Sequence, residues 1–257
     1  MDLIAGLPYE DLDSFGKSFD EVYTVRPEQL QLGFLKVLKG SYMAEHQQEY
    51  ELMHKDTPPY EVLSTKWLSY DDILVLKSVE EMVETFYNSG QFHHTITHLE
   101  LYFPSAFEMY CRMGRFYEAM GYHKQSHSRM RRYEILLEFL ETVIPEKNLD
   151  FFRELLTFDL YLRENVKNRP DFAGNYTVKK EELFRLYDEV FPEEEELLLY
   201  AGKHQRKMIH IEMFRYDVLS ESQKKKETWI LFDYQKRDPL NRQAKIFLLP
   251  ALERKAI

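Results

Sequence analysis

The apolar positions at the start of the chain change their spacing twice. The run DLIAG, residues 2–6, leads into Gly-Leu-Pro, which is typical of a β-strand that ends in a turn. The next apolar residues recur every three or four positions, which predicts a helix with Asp11 as its N-cap. They are Leu12, Phe15, Phe19 and Val22. Apolar and polar residues then alternate over residues 29–34, which predicts a second strand.

This order of strand, helix and strand predicts a parallel β–α–β unit. Parallel neighbours need a crossover of about a dozen residues or more, and a helix is the usual crossover. A lone unit of this kind leaves backbone groups unpaired at the edges of its sheet. We therefore expect these edges to pair with a second copy of the chain, to be covered by the helical body or to be disordered.

Helical periodicity dominates the middle of the chain. Residues 43–66 are polar, show no strong period and are interpreted as a linker. A helix is predicted from Ser69, which forms a capping box with Asp72, to Gly90. Its predicted buried face consists of Ile73, Leu76, Val79, Val83 and Phe86. Further helices are predicted at residues 103–120, 124–143, 150–164 and 179–190.

After Gly202 the chain becomes rich in β-branched and aromatic residues, which predicts a small antiparallel sheet at the C-terminus. The predicted fold class is therefore α+β and mostly α-helical. We expect three segments: the β–α–β unit at 1–42, a linker at 43–66, and a helical domain that ends in antiparallel strands at 67–257.

Composition excludes several functional classes. The net charge of −10 argues against nucleic-acid binding, because phosphate binding needs an excess of lysine and arginine. No apolar run approaches the roughly 20 residues that cross a bilayer, and no signal peptide is evident, so a cytoplasmic location is predicted. Cys111 is the only cysteine, so the chain cannot form an internal disulfide or a site of several thiolates.

The turn DLIAGLPYED, the following helix and the segment QLQLGFLKVLKGS together resemble the late part of the barrel in radical S-adenosylmethionine enzymes. The similarity is to cobalamin-binding members that carry a helical domain after the barrel. In that family a strand with an Ile-x-Gly-Leu-Pro-like turn lies beside the adenine of S-adenosylmethionine. The resemblance implies that Ile4, Gly6, Leu7 and Pro8 bind this cofactor. Tyr9 departs from the family pattern, which often has glycine and an acidic residue after the proline.

The resemblance also implies cofactors that this chain cannot hold alone. The family's [4Fe-4S] cluster needs three cysteines, usually spaced CxxxCxxC, whereas this chain has one. The chain is therefore predicted to be a C-terminal accessory portion that binds no cofactor alone. S-adenosylmethionine, the cluster and, in cobalamin-binding members, cobalamin are implied for the full-length protein. Its predicted partner is the missing N-terminal barrel and cobalamin-binding region in cis, or a second copy paired through strand edges.

Two functions follow from these observations. In the first, the chain completes the barrel edge, covers the active site of a radical S-adenosylmethionine enzyme and is catalytically silent by itself. In the second, it is a free-standing helical interaction module without enzymatic activity. An in-frame CxxxCxxC upstream of Met1 distinguishes the first from the second.

Two histidine pairs have the spacing of helical metal ligands, His94 with His98 and His123 with His127. Neither pair has the adjacent glutamate of HExxH or a third ligand fixed by sequence, so hydrogen-bonded histidines are the favoured interpretation and a metal site is the alternative.

Other chemistry-bearing residues are assigned structural roles. Cys111 is predicted to be a buried thiol. Arg129, Arg131 and Arg132 are predicted to lie on a solvated helix face, although they could bind an anionic group. Glu193 to Glu196 suit a helix N-terminus. Aromatic residues at helical spacings, including Tyr161, Phe184 and Tyr187, are predicted to belong to the core.

Overall fold

The predicted strands and helices are present in the computed structural model, which describes residues 1–166, 168–174, 178–191, 200, 205–220 and 222–250. The described helices are α1 (Leu12–Thr24), α2 (Tyr42–Glu45), α3 (Tyr70–Met82), α4 (His93–Leu99), α5 (Ala106–Met120), α6 (Arg129–Val143), α7 (Glu146–Arg163) and α8 (Lys180–Arg185). The described strands are β1 (Asp2–Ala5), β2 (Gln31–Phe34), β3 (Met53–His54), β4 (Val62–Ser64), β5 (Ile209–Tyr216), β6 (Lys225–Arg237) and β7 (Ala244–Leu249). The predicted α+β, mostly helical fold class is confirmed.

β1, α1 and β2 form the predicted parallel unit. The two strands pair in parallel from Asp2 opposite Gln31 to Ala5 opposite Phe34. Asp11 caps α1 as predicted, and it forms a capping box with Ser14. Alternation in β2 buries Leu32 and Phe34 while Gln31 stays exposed, so the polar and apolar faces lie where the sequence indicated.

The residues that follow β2 pair with the segment before β4. The backbone N–H of Val62 donates to the carbonyl oxygen of Leu35 at 2.8 Å, and Lys36 forms an antiparallel bridge with Glu61. Among the described residues, β1 and β2 pair only with each other. The outer edges of both strands therefore lack a partner strand in this part of the chain.

The stretch interpreted as a linker, residues 43–66, contains secondary structure and part of a core. β3 and β4 pair with each other in it, and Tyr50, Leu52 and Val62 are each at most 6% exposed. These buried side chains occur at irregular intervals because short strands and turns carry them. No helical or strand periodicity could therefore reveal them.

Capping residues and a proline set the first residues of several helices. The capping box of Ser69 with Asp72 starts α3, and a π-helical turn at Val83–Asn88 continues it towards Gly90. Its five predicted buried residues are each at most 1% exposed. Serine caps at Ser105 and Ser128 delay α5 and α6 by a few residues relative to the prediction. Pro145 allows α7 to begin earlier, at Glu146, because proline is tolerated at a helix start.

The chain divides into two compact units. The N-terminal unit comprises Met1–Gly90 and Leu99–His127, and the C-terminal unit comprises Gln91–His98 and Ser128–Ile257. In the N-terminal unit, α5 packs against both α1 and α3. None of the described helices is both long and apolar enough to cross a membrane.

The C-terminal unit combines α7 with the three-stranded antiparallel sheet, whose order is β5-β6-β7. Most of α7 is buried, from Phe151 to Leu162, and it contacts β5 and β7. The central strand β6 is buried over seven consecutive residues, as expected for a strand with neighbours on both sides. The predicted C-terminal sheet is confirmed.

α7 also buries two carboxylates that hold neighbouring elements. Asp159 is 2% exposed and accepts hydrogen bonds from the backbone N–H of His94 and of Thr95, at 3.1 and 2.9 Å. The Thr95 hydroxyl and His94 Nδ1 complete its contacts, at 2.7 and 2.8 Å. Glu154 likewise accepts from the backbone and side chain of Arg215. Because an unpaired buried charge is costly, these contacts tie α4 and β5 to α7.

The Asp159 contacts generate a stability prediction. We expect Asp159→Asn to lower the free energy of unfolding by about 2–4 kcal/mol, since its amide nitrogen must face buried donors. Urea denaturation followed by circular dichroism measures the loss. The matched control is Asp150→Asn on the same helix, whose side chain is 59% exposed. We expect the control to change stability by less than about 0.5 kcal/mol. Equal losses in the two variants would contradict the capping role of Asp159.

Candidate functional site

The turn after β1 contains three of the predicted cofactor-binding residues, Gly6, Leu7 and Pro8. Gly6 has a φ of +90°, and a Cβ atom at this position would lie 2.8 Å from Cγ1 of Val62. Glycine is therefore required both by the backbone conformation and by this contact. Val62 fills the space on the Cβ side of Gly6.

Ile4, the fourth predicted residue, lies on the open face of the β1–β2 pair. Its side chain is 48% exposed, and its register partner is Gly33. The nearest atom to a Cβ placed on Gly33 is the carbonyl oxygen of Leu3, at 3.7 Å. Ile4 and Gly33 therefore form a flat apolar surface with free space above the glycine.

This surface borders a cleft of about 500 Å³ within the N-terminal unit. Strands β1 and β2 form one side, and Glu80, Glu84 and Asn88 form the other. The volume lies in the range of small-molecule sites. Of the four predicted residues, Ile4 lines the cleft, whereas Gly6, Leu7 and Pro8 lie in the adjoining turn.

Asn88 fixes the helical wall of the cleft. Its Nδ2 donates to the carbonyl oxygen of Leu30, and its Oδ1 accepts from the N–H of Leu30, both at 2.9 Å. The side-chain amide thus pairs with the backbone as a neighbouring strand would. Tyr87 adds a hydrogen bond from its hydroxyl to the carbonyl oxygen of Pro27, at 2.6 Å. These contacts hold the π-helical turn against the start of β2.

The helical wall is acidic. Glu80 and Glu84 lie one turn apart, and Glu84 accepts a hydrogen bond from Asn88 at 2.8 Å. Burial raises the pKa of the Glu80 carboxyl above its ordinary value, and the neighbouring carboxylates Glu61 and Glu84 add to the increase. Carboxylates beside an apolar surface can accept hydrogen bonds from the hydroxyl or amino groups of a flat ligand. The cleft therefore has the chemistry of a binding site rather than of a nucleophile.

An aromatic cluster that the sequence analysis did not identify adjoins the turn. Tyr9 has a φ of +68° and is 72% exposed. Its ring centroid lies 4.8 Å from that of Trp67 and 6.0 Å from that of Tyr50. Tyr42 and His46 extend the cluster through stacking at 3.8 Å. The spacing of four residues between Tyr42, His46 and Tyr50 was a usable signal, whereas nothing in the sequence linked them to Trp67.

His94 and His98 lie on α4, and three of their four ring nitrogens have protein partners. Nδ1 of His94 lies 2.8 Å from Oδ1 of Asp159. Nδ1 of His98 contacts the carbonyl oxygen of His94 at 2.9 Å, and its Nε2 contacts that of Ser220 at 3.2 Å. The favoured interpretation of hydrogen-bonded histidines therefore describes this pair.

His123 and His127 do not share a helix, because the chain forms a 3-10 turn at Tyr122–Lys124 and then an extended segment. Nε2 of His127 contacts the carbonyl oxygen of Tyr122 at 2.8 Å. The spacing of these two histidines does not place them on one helix face, because Gly121, with φ +69°, ends α5. In the part of the chain that the structure describes, no group of three or more His, Cys, Asp or Glu residues could hold a metal ion.

The remaining chemistry-bearing residues are mostly structural. Cys111 is 3% exposed as predicted, and burial raises the pKa of its thiol to about 12. Arg129 pairs with Glu164 at 2.7 Å and Arg131 with Glu134 at 2.9 Å on the helix surface, as expected for a solvated face.

The aromatic core predictions have mixed outcomes. Tyr161 is buried, and Tyr187 packs against the core of the C-terminal unit. Phe184 is 59% exposed, which corrects the prediction, because Leu183 and Leu186 occupy the inward positions around it. Glu193 to Glu196 lie outside the described residues.

Comparison with known proteins gives one family. A family model described as a protein of unknown function (DUF4080) matches residues 48–232, which is most of the chain. The match begins after the β1–α1–β2 unit. No curated protein matches the chain.

Gly6 generates a testable prediction about the turn. We expect Gly6→Ala to lower the free energy of unfolding by about 2–4 kcal/mol, through the positive φ and through overpacking against Val62. Urea denaturation measures this loss. The matched control is Gly40→Ala, where φ is +77° but no atom lies within 4 Å of the added Cβ. We expect the control to lose only about 1 kcal/mol.

Adding Val62→Ala separates the two causes. In this background Gly6→Ala should cost about as much as Gly40→Ala, since the steric conflict is removed. An undiminished cost in the Val62→Ala background would show that the contact with Val62 is not the reason for glycine.

Proposed function

The chain belongs to the DUF4080 family, and we propose that it is the C-terminal accessory region of a radical S-adenosylmethionine enzyme. In this role the β1–α1–β2 unit completes the edge of the barrel, and the helical body covers the active site. The chain is catalytically silent by itself, because the ligands of the cluster come from an upstream segment. A cytoplasmic location belongs to the same proposal.

The unpaired outer edges of the small parallel sheet are the observation that carries this proposal. Among the described residues, β1 and β2 pair only with each other. The segment around Glu61 pairs with residues 35–37, which follow β2. Parallel strands are usually found inside larger covered sheets, since an open edge exposes unpaired N–H and C=O groups. A preceding strand beside β1 satisfies these groups on its edge.

The cleft beside the open edge supports a role in holding S-adenosylmethionine. Ile4 and Gly33 provide a flat apolar surface for an adenine ring, and Glu80 and Glu84 provide acceptors for hydroxyl or amino groups. Leu7, 37% exposed in the turn, adds apolar surface at the end of β1. Gly6 and Pro8 contribute by shaping this turn.

The cluster itself does not fit the residues of this chain. A [4Fe-4S] cluster of this family needs three thiolates, and the sequence has one cysteine. Cys111 is buried in α5, where its raised pKa disfavours the thiolate. The cluster and cobalamin are therefore assigned to a region in cis, with a second copy of the chain as the alternative partner for the β1 edge.

The test begins with the DNA upstream of the Met1 codon, where we expect an in-frame CxxxCxxC motif. The extended protein should then be expressed and reconstituted anaerobically with iron and sulfide. We expect the absorption band of a [4Fe-4S] cluster and reductive cleavage of S-adenosylmethionine. The 257-residue chain, treated identically, should give neither.

A matched pair of variants of the extended protein tests the cleft. Ile4→Asn should weaken S-adenosylmethionine binding about tenfold, since it removes an apolar contact worth about 1–2 kcal/mol. Leu38→Asn, at a side chain that is 51% exposed and outside the cleft, should leave binding unchanged. Cluster content should be the same in both variants.

Two outcomes would overturn the proposal. The first is a cluster band in the isolated chain. The second is an upstream region with its own promoter and ribosome-binding site and no cysteine motif, which would favour the free-standing helical interaction module.

A further inference from the structure

A second concavity in the N-terminal unit lies between α3 and α5. Its volume is about 450 Å³, within the range of small-molecule sites. The two helices approach closely at one point, where a Cβ on Gly114 would lie 2.4 Å from Oγ of Ser78. Residues of both helices around this contact line the cavity. None of the residues assigned to the S-adenosylmethionine cleft lines it.

The cavity reaches from the surface to the core. Leu74 at its rim is 46% exposed, whereas Met82 and Tyr117 at its floor are 0% and 4% exposed. Val75 adds to the apolar wall. A ligand with a hydrocarbon portion can therefore bury it against apolar side chains.

The charges around the cavity are unbalanced. Asp71, Glu81 and Glu118 line it, and within the described residues none of these carboxylates forms an ion pair. The basic side chains in the lining are Lys77, Arg115 and His123, and the first two lie near carboxylates outside the cavity. Lys77 Nζ lies 2.8 Å from Glu61, and Arg115 lies 3.9 Å from Glu108.

We propose that this cavity binds a small organic cation, with an ammonium group beside Glu81 and Glu118 and a hydrocarbon chain against Leu74 and Met82. Charge complementarity selects a cation over an anion, because three carboxylates with no ion pair among the described residues line the cavity, whereas Lys77 is paired with Glu61 and Arg115 lies near Glu108. The apolar floor selects an organic ammonium over a metal ion, which needs several oxygen or nitrogen ligands at once. This site is independent of the proposed barrel function.

The test uses three probes of similar shape: hexylammonium, neutral 1-hexanol and anionic hexanoate. Binding is measured on the intact chain by isothermal titration calorimetry and by NMR shifts of α3 and α5 amides. We expect saturable binding of hexylammonium, weaker binding of hexanol and none of hexanoate. Butylammonium should bind more weakly than hexylammonium, by about tenfold for two fewer buried methylene groups. Added salt should weaken the binding of the ammonium probes.

Isosteric variants test whether the carboxylates in the cavity attract the cation. Glu118→Gln and Glu81→Gln should each weaken hexylammonium binding about two- to fivefold, and the double variant roughly tenfold. Glu21→Gln is the matched control, since Glu21 is an exposed carboxylate of the same unit that lies outside the cavity, and this variant should leave affinity unchanged. Circular dichroism confirms that each variant is folded.

Three results would overturn the proposal. One is the absence of saturable hexylammonium binding up to about 10 mM, a concentration that detects even weak sites. Another is hexanol binding as tightly as hexylammonium, which would leave only an apolar cavity. The third is an equal effect of Glu21→Gln and Glu118→Gln, which would indicate general electrostatic attraction by an acidic protein.

Discussion

Hydrogen bonding at the edges of a very small parallel sheet is the constraint on which the N-terminal unit depends. Two parallel strands connected by one helix cannot satisfy their own outer backbone groups. The segment after α2 returns to pair at Lys36 and Glu61, just beyond the end of β2. This pairing holds part of residues 43–66 against the end of the sheet and leaves its outer edges unpaired. Among the described residues the outer edge of β1 has no partner, and the exposed Ile4 belongs to this strand.

Gly6 connects this edge to the rest of the unit. Its positive φ turns the chain away from β1, and its missing side chain lets Val62 of β4 approach. The turn that resembles a cofactor-binding element therefore has a structural role as well, since it joins β1 to the returning segment. A glycine needed for packing and one needed for a ligand are indistinguishable in a single sequence. The contact with Val62 becomes evident only when strands distant in sequence are brought together.

Regular elements with a clear apolar period were predictable from the sequence. The N-cap of α1, the capping box of α3, the parallel pairing of β1 with β2 and the C-terminal sheet all follow from local patterns. Features that depend on contacts between residues distant in sequence were not predictable in this way. The aromatic cluster around Trp67 and the capping of α4 by Asp159 join residues far apart in sequence. The acidic wall of the cleft was likewise not predicted, because nothing in the sequence places Glu80 and Glu84 opposite β1 and β2.

The net charge of −10 affects which ligands the concave surfaces of the protein favour. Many basic side chains are already committed to carboxylates, as in Arg26 with Glu100 and Lys77 with Glu61. Carboxylates without ion pairs therefore remain in excess, and several of them line concave surfaces. Walls of low dielectric constant around a cleft strengthen the field that such charges produce. The carboxylates of the two concavities described above consequently favour ligand groups that present hydrogen-bond donors or a positive charge. The same charge that argues against nucleic-acid binding thus restricts the class of small molecules that can enter these sites.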